Sequence, residues 1–382
     1  MRILLVGDYP RDARLGSTKV LLKLQEELRG LGHTCDVILA DDLGPSPRNH
    51  YLRQALGPFV ALAAVRKAFR ERGAYDVVDV ASAEGLWLGV MRRCGWFRGT
   101  AIIARSNGLE HLNYRRMLQD HDAGLRPKPW TRRLFHPAVR LTQVAGAARA
   151  ADRLLLLNDV DRDFAIGRHW KAAGDIDVVP HGVSTEFLND APARDQPRGR
   201  GLLFCGSWTE VKGVDYLAAA FSRLADEGFD GRLTVLGGAV DTEIILSAFT
   251  PAGRARVTVV DRVSEREVIA AYRTHDALVW PSTYEGFGMV VIEAMSQRLP
   301  VIASPVGCAR ALVIDNTTGL VVPPRQPDAL AAAMKRLMSD RGLRLRLADA
   351  AFDLVRDMSW RRTADQTLAV YGRAMRSHGH AA

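Results

Sequence analysis

The stretch that decides the fold is Ala277-Leu-Val-Trp280 followed by Pro281-Ser-Thr-Tyr-Glu-Gly-Phe-Gly-Met-Val-Val-Ile-Glu293. Its first four residues form a short apolar run of the kind a parallel strand covered on both faces requires. Pro281 cannot continue a ladder, so the strand ends there. Gly286 and Gly288 let the backbone turn tightly and approach a ligand closely. A helix is predicted to begin near Met289, which leaves the N–H groups of Phe287, Gly288 and Met289 free at its amino end. Such an end, with glycines before it, suits a pyrophosphate. Glu285 stands just ahead of the helix and Glu293 lies eight residues further on. An ionised carboxylate offers only acceptors and so pairs well with vicinal hydroxyls. Two carboxylates flanking an anion site fit a ligand with phosphate in the middle and a polyol at each end, which describes a nucleotide sugar. The alternative is that Glu293 caps or salt-bridges within a core helix; in its apolar context it needs a partner either way.

Working outward, the same strand–loop–helix unit recurs on both sides. Before it, apolar runs lie at Arg2–Val6, Cys35–Leu39, Val77–Val80, Ala101–Ala104, Arg153–Leu157 and Asp177–Val179. Between the first two, Val20, Leu21, Leu24 and Leu28 fall at helical spacing, and Gly32 is placed to stop that helix. The segment Asn189–Arg200 is rich in Asp, Pro, Ala and Arg without an apolar period, and reads as part of a linker. A second series follows at Gly201–Cys205, Arg232–Leu236, Arg256–Val260, Ala277–Trp280, Pro300–Ala303 and Gly319–Val322. Helices are expected over Gln326–Ser339, Arg344–Met358 and from Trp360 to about Met375. The pattern predicts an α/β protein with two tandem Rossmann-like domains facing each other across a cleft. The expected boundaries are 1–185 with a returning helix at 360–382, a linker at 186–200, and a second domain at 201–359.

Composition agrees with that reading. The chain has 382 residues, of which 47% are hydrophobic and 25% charged, which excludes disordered and collagen-like classes. No apolar run approaches the ~18–20 residues of a membrane-spanning helix. The start lacks the pattern of a signal peptide, and the four cysteines (Cys35, Cys94, Cys205, Cys308) form no CxxC pair. A cytoplasmic chain without a metal site is the expectation. The net charge is +9, and the whole surplus sits in residues 1–150, where 24 basic side chains face 14 acidic ones. That half is expected to meet something anionic.

With these residues in view, the chain resembles the family 4 retaining glycosyltransferases of the GT-B fold. Glu285 and Glu293 with Gly-Phe-Gly between them look like that family's Glu-x7-Glu signature. Arg2–Gly7 followed by Gly16-Ser-Thr18 is similar to its first strand and glycine loop. Gly206-Ser-Trp-Thr-Glu-Val-Lys-Gly213 resembles its phosphate-binding stretch. Asp261-Arg-Val-Ser-Glu-Arg-Glu-Val268, with Arg262 and Val263, resembles the loop that contacts the base, and Phe352–Tyr371 the helix that crosses back. The resemblance implies that Glu285 grips the donor sugar, Glu293 binds the ribose, and Lys212 neutralises the diphosphate as it departs. Phe287, Gly288 and Met289 would donate backbone N–H groups, and Gly16 and Gly206 would let loops approach the phosphates. No divalent metal and no separate cofactor are implied. Two positions depart from the pattern. Ser207 stands where an Arg is usual, and a hydroxyl does not replace a bidentate cation; Arg262 is a candidate substitute. Asn107 stands where a His is usual, in Ser106-Asn-Gly-Leu-Glu-His111, and His111 is the nearest imidazole.

Other signals are weaker. Asp159-Val-Asp-Arg-Asp163 resembles the start of a calcium loop, but Phe164 replaces the needed Gly, so it reads as a helix start capped by Asn158 or Asp159. Arg126-Pro-Lys-Pro-Trp-Thr-Arg-Arg-Leu-Phe135 mixes cations with aromatics. It reads equally as a seat on anionic lipid at the inner face of a membrane, a loop over the acceptor, or an exposed connector. Arg66, Lys67, Arg70 and Arg72 add to this basic face, and no nucleic-acid motif accompanies it. The expected activity is transfer of a sugar from a nucleotide-sugar donor to a hydroxyl acceptor: a glycan, a glycolipid or a small molecule. A nucleotide-sugar epimerase and a catalytically weak nucleotide-sugar-binding protein remain open beside it.

Overall fold

A computed structural model describes residues 1–44, 47, 49–125, 130–189 and 191–379. The chain divides into two compact units, Met1–His181 with Trp360–Ala382, and Gly182–Ser359. The segment read as a linker therefore belongs with the second unit. Its beginning is helical, Thr185–Asn189, because Phe187 is fully buried and its carbonyl accepts from the Gln297 side chain.

In the first unit six parallel strands lie in the order β2-β1-β3-β4-β5-β6. They are β1 Arg2–Val6, β2 Thr34–Ile38, β3 Val77–Ala81, β4 Ala101–Arg105, β5 Arg153–Leu156 and β6 Ile176–Val178. Alternate residues of β1 face opposite cores, as the pleat requires. Leu4 and Val6 pack with Val65, Val78 and Leu88, while Ile3 and Leu5 pack with Leu21, Leu24 and Leu28 of α1 (Gly16–Gly30). The second core is completed by the last helix, Trp360–Gly379, which brings in Ala364, Val370, Tyr371 and Ala374. Beneath it lies a buried ion pair. Arg105 donates from Nε and Nη2 to Asp79 at 3.0 and 2.5 Å, and the Tyr371 hydroxyl donates to the same carboxylate at 2.5 Å. Asp79 on β3 and Arg105 on β4 are 0% and 1% exposed, so neither charge is tolerable without the other.

The second unit repeats the design with six parallel strands in the order β12-β11-β10-β7-β8-β9. They are β7 Leu202–Cys205, β8 Leu233–Leu236, β9 Val257–Val260, β10 Ala277–Trp280, β11 Val301–Ala303 and β12 Leu320–Val321. The strand order reverses between β7 and β10. In open parallel sheets the loops leaving the strands on either side of such a reversal enclose a crevice, where ligands bind. In the first unit the reversal falls between β1 and β3.

Candidate functional site

In the second unit the loops after β7 and β10 come together at the reversal. Gly213 closes the first loop with φ +70°, and a Cβ there would lie 2.0 Å from the Pro281 carbonyl oxygen. The two loops are further tied by Thr283 N–H donating to the Val211 carbonyl at 2.8 Å. This contact sets Lys212, from one loop, on Glu285, from the other: Nζ donates to Oε1. Ser282 Oγ donates to the same oxygen at 3.1 Å. The pair keeps access to solvent, with Lys212 26% and Glu285 12% exposed.

The helix after β10 runs Met289–Ser296, as the sequence predicts. Gly288 precedes it with φ +91°, and a Cβ there would strike the Trp280 ring at 2.6 Å. Gly307 presses on the same loop, where a Cβ would sit 2.3 Å from the Phe287 carbonyl oxygen. Glu285 and the amino end of this helix therefore share one packed loop, and Lys212 reaches it from the loop after β7. Glu293 lies inside the helix, 7% exposed, and accepts from the Tyr272 hydroxyl at 3.3 Å. Burial pushes the Tyr272 phenol well above its usual range, so it remains a donor. Of the other residues singled out in the sequence, Gly206 has φ +142° directly after β7 with Ser207 following it. Arg262 and Val263 lie past β9, where Arg262 passes beside Gly237.

Three predicted residues fall in the first unit. Gly16 is the first residue of α1. Asn107 follows β4, and its amide donates to the Tyr9 hydroxyl at 3.2 Å. His111 lies in the helix Glu110–Asp122 against the rings of Trp170 and Phe164, at 4.6 and 5.8 Å. Burial depresses its imidazole to about 4, so at neutral pH it carries no proton to give.

Around Tyr9 the structure assembles a polar cluster that the sequence reading missed. Arg140 donates to Glu84 at 2.8 Å and from Nε to both oxygens of Glu110 at 3.0 Å, and Ser82 Oγ donates to Glu110 at 2.8 Å. Burial opposes the charge on Arg140, but the two carboxylates overcome it and hold the guanidinium protonated. Burial raises Glu84, and Arg140 counters that rise. Ser82 adopts φ +52° directly after β3, which turns the chain over the strand end. Arg140 and Glu110 line a recess of about 510 Å³ with His50, Gln54, Asn113 and His136 among its walls. The available signal was position: Glu84 and Glu110 each follow an apolar strand run at its carboxyl end, where ligands bind in parallel sheets. Residues 126–129, the start of the basic aromatic stretch, lie outside the described residues. Among the described residues no group of His, Cys, Asp and Glu could hold a metal ion, and no helix is long and apolar enough to cross a membrane.

His181 yields a pH prediction. It is 3% exposed, and burial, assisted by Arg105, depresses it from 6.5 to about 3. The unfolded chain therefore binds a proton below pH 6.5 that the fold refuses. Stability is full above that pH and falls as acidity increases toward 3. Between pH 7 and 5 the first unit is expected to lose about 2 kcal/mol from this group. The corresponding drop in Tm is roughly 4–8 °C. A His181→Gln variant should flatten that dependence in thermal unfolding; an unchanged slope would exclude the assignment.

Comparison with known proteins bears on the family and the fold. The family model described as glycosyl transferases group 1 matches residues 192–353. A D-inositol 3-phosphate glycosyltransferase from Xylanimonas cellulosilytica is 36% identical over 334 residues, covering 83% of this chain and 76% of the relative. Another from Streptomyces bingchenggensis is 33% identical over 263 residues, 63% of this chain and 57% of that one. The chain spans 57%, 61% and 59% of the length of three curated relatives that it matches. Among solved structures, sucrose-phosphate synthase from Thermosynechococcus elongatus shares the fold, with TM-score 0.76 and 21% identity over 98% of this chain and 99% of that one. Twin six-stranded parallel sheets, the matching family model and a relative aligned over most of both chains lead to one conclusion: this chain belongs to the group 1 glycosyl transferases.

Proposed function

We propose that the chain is a retaining glycosyltransferase that needs no metal and moves a sugar from a nucleotide-sugar donor to a hydroxyl acceptor. The observation that carries this reading is the contact between Lys212 and Glu285 at the strand reversal, beside the amino end of Met289–Ser296. The donor's diphosphate would take Lys212 and the backbone N–H groups of Phe287, Gly288 and Met289. Negative charge grows on the diphosphate as the glycosidic bond breaks, and a cation and a helix end already in place stabilise it without reorganising. Glu285, released from Lys212, would accept from the sugar hydroxyls, and Glu293 from the ribose. Gly206 and Ser207 would border the phosphates, and Arg262 and Val263 the base. The acceptor hydroxyl attacks the face the diphosphate leaves, which needs no protein nucleophile. Its proton passes to the departing phosphate oxygen, so neutral His111 is not required as a carrier.

The recess lined by Arg140 and Glu110 is the acceptor subsite in this reading. Its paired acids and cation suit a ligand rich in hydroxyls, and the basic first unit favours one presented on a lipid. The relatives are named for inositol 3-phosphate, so cyclitols and their phosphates are the first acceptors to offer. The test is release of nucleoside diphosphate from a panel of nucleotide sugars, with the anomeric configuration of the product read by NMR. An inverted product, or no release with any donor, would overturn the proposal. Glu293→Ala is expected to weaken donor binding in calorimetry by about 10–100-fold, as loss of hydrogen bonds to a charged acceptor does. Unchanged affinity would leave Glu293 a purely structural group.

A further inference from the structure

The long helix α2 (His50–Arg72) has a buried face at Pro58, Ala61, Val65 and Ala68. Its opposite face is not polar, as a solvent-facing side would be. Leu52, Leu56 and Phe59 are 54%, 42% and 50% exposed. With Ala63, Arg66 and Arg70, all exposed, they follow the spacing of one helical stripe. The first half of the stripe is apolar and the second cationic. Tryptophans flank both halves: Trp87 packs on Phe59 at 4.9 Å, and Trp96 lies under the Arg66 guanidinium at 4.7 Å. The exposed Lys67 stands beside the cationic half. Glu71 is the only acid on the helix, and among the described residues neither Arg66 nor Arg70 has an acidic partner.

We infer that this stripe seats the first unit on an anionic lipid surface, with Leu52, Leu56 and Phe59 entering the acyl boundary and Arg66, Lys67 and Arg70 meeting the headgroups. A helix whose outer stripe is leucine and phenylalanine over one half and arginine over the other, with tryptophan at its margin, rests at that interface with its apolar half in the acyl boundary and its cations among the headgroups. The charge of residues 1–150 complements it, since a negative leaflet attracts clustered cations within a Debye length. A second copy of the chain fits less well. Two such stripes packed antiparallel would bury each cationic half on the other's apolar half. His50 and Gln54 of the same helix line the acceptor recess, so the surface deepens the reading of a lipid-borne acceptor and rests on it for that link alone.

The experiment is co-sedimentation of the full chain with phosphatidylcholine vesicles, with and without phosphatidylglycerol. Binding is expected only with phosphatidylglycerol and should weaken as salt rises. Leu56→Gln/Phe59→Gln and Arg66→Glu/Arg70→Glu should each reduce it at least about tenfold, while Ile244→Gln, at an exposed site in the second unit, should not. Circular dichroism and release of nucleoside diphosphate in solution should be unchanged in all three, which separates failure here from failure of the proposed reaction. Absence of binding to anionic vesicles, or wild-type binding by both double variants, overturns the inference. So does a concentration-dependent dimer that Leu56→Gln/Phe59→Gln dissolves, since a second copy would then occupy the stripe.

Discussion

Lys212→Met is expected to lower kcat by roughly 10²–10³-fold, the loss typical of removing one preorganised group aimed at developing charge. In the resting protein Lys212 is held by Glu285, so the charge is in place before donor arrives. The loop cannot drift to compensate, because Gly213 is packed against the Pro281 carbonyl. Lys212→Arg should rescue little, since a planar guanidinium presents its donors in a wider fork than a compact ammonium. Glu285→Ala should also cut kcat severely. The double variant Lys212→Met/Glu285→Ala should cost less than the two singles combined, because the partners touch. Steady-state kinetics with a saturating donor measures all of these. A Lys212→Met rate within threefold of wild type would remove Lys212 from the mechanism.

The second large effect is on stability. Arg105→Met strands the Asp79 carboxylate, 0% exposed, with the Tyr371 hydroxyl as its remaining hydrogen-bond donor. Breaking a buried pair by removing one partner costs about 3–5 kcal/mol. For a unit of this size that lowers Tm by roughly 6–20 °C. Tyr371→Phe should cost less, about 1.5–3 kcal/mol, because the ion pair survives. Asp79→Asn/Arg105→Met should recover part of the single-variant loss. Calorimetry should show the first unit's transition moving while that of the second unit, which holds none of these residues, stays. A shift of both transitions together, or of neither, would exclude the account.

Much of the architecture was legible because a strand buried on both faces must be apolar throughout. Each strand named above lies within a residue or two of a mostly apolar run, although Asp36, Asp79 and Asp177 interrupt β2, β3 and β6, and the helix at Met289 is marked by Pro281 and the glycines before it. Of the two capping candidates the structure selects Asn158, whose side chain accepts from Asp161 N–H at 2.9 Å. The segment after His181 was less legible. One buried side chain, Phe187, decides its helix, and a single apolar residue has no period. In the site, the order of glycines and acids pointed to the residues, but not to their partners. Tyr272, the donor to Glu293, lies on another helix, Glu265–Thr274.

By itself, then, the sequence determined which segments become strands and where the helix at Met289 begins, since these depend on local pattern and on the turn residues that end a strand. Only tertiary structure decided which ends meet. Lys212 finds Glu285 across 73 positions and Tyr371 finds Asp79 across 292, through strand order and loop packing that no local window contains. The apolar stripe of α2 shows the same division. Its residues look like core in the sequence, and only the packed fold, having filled the core with the opposite face, leaves them in the open.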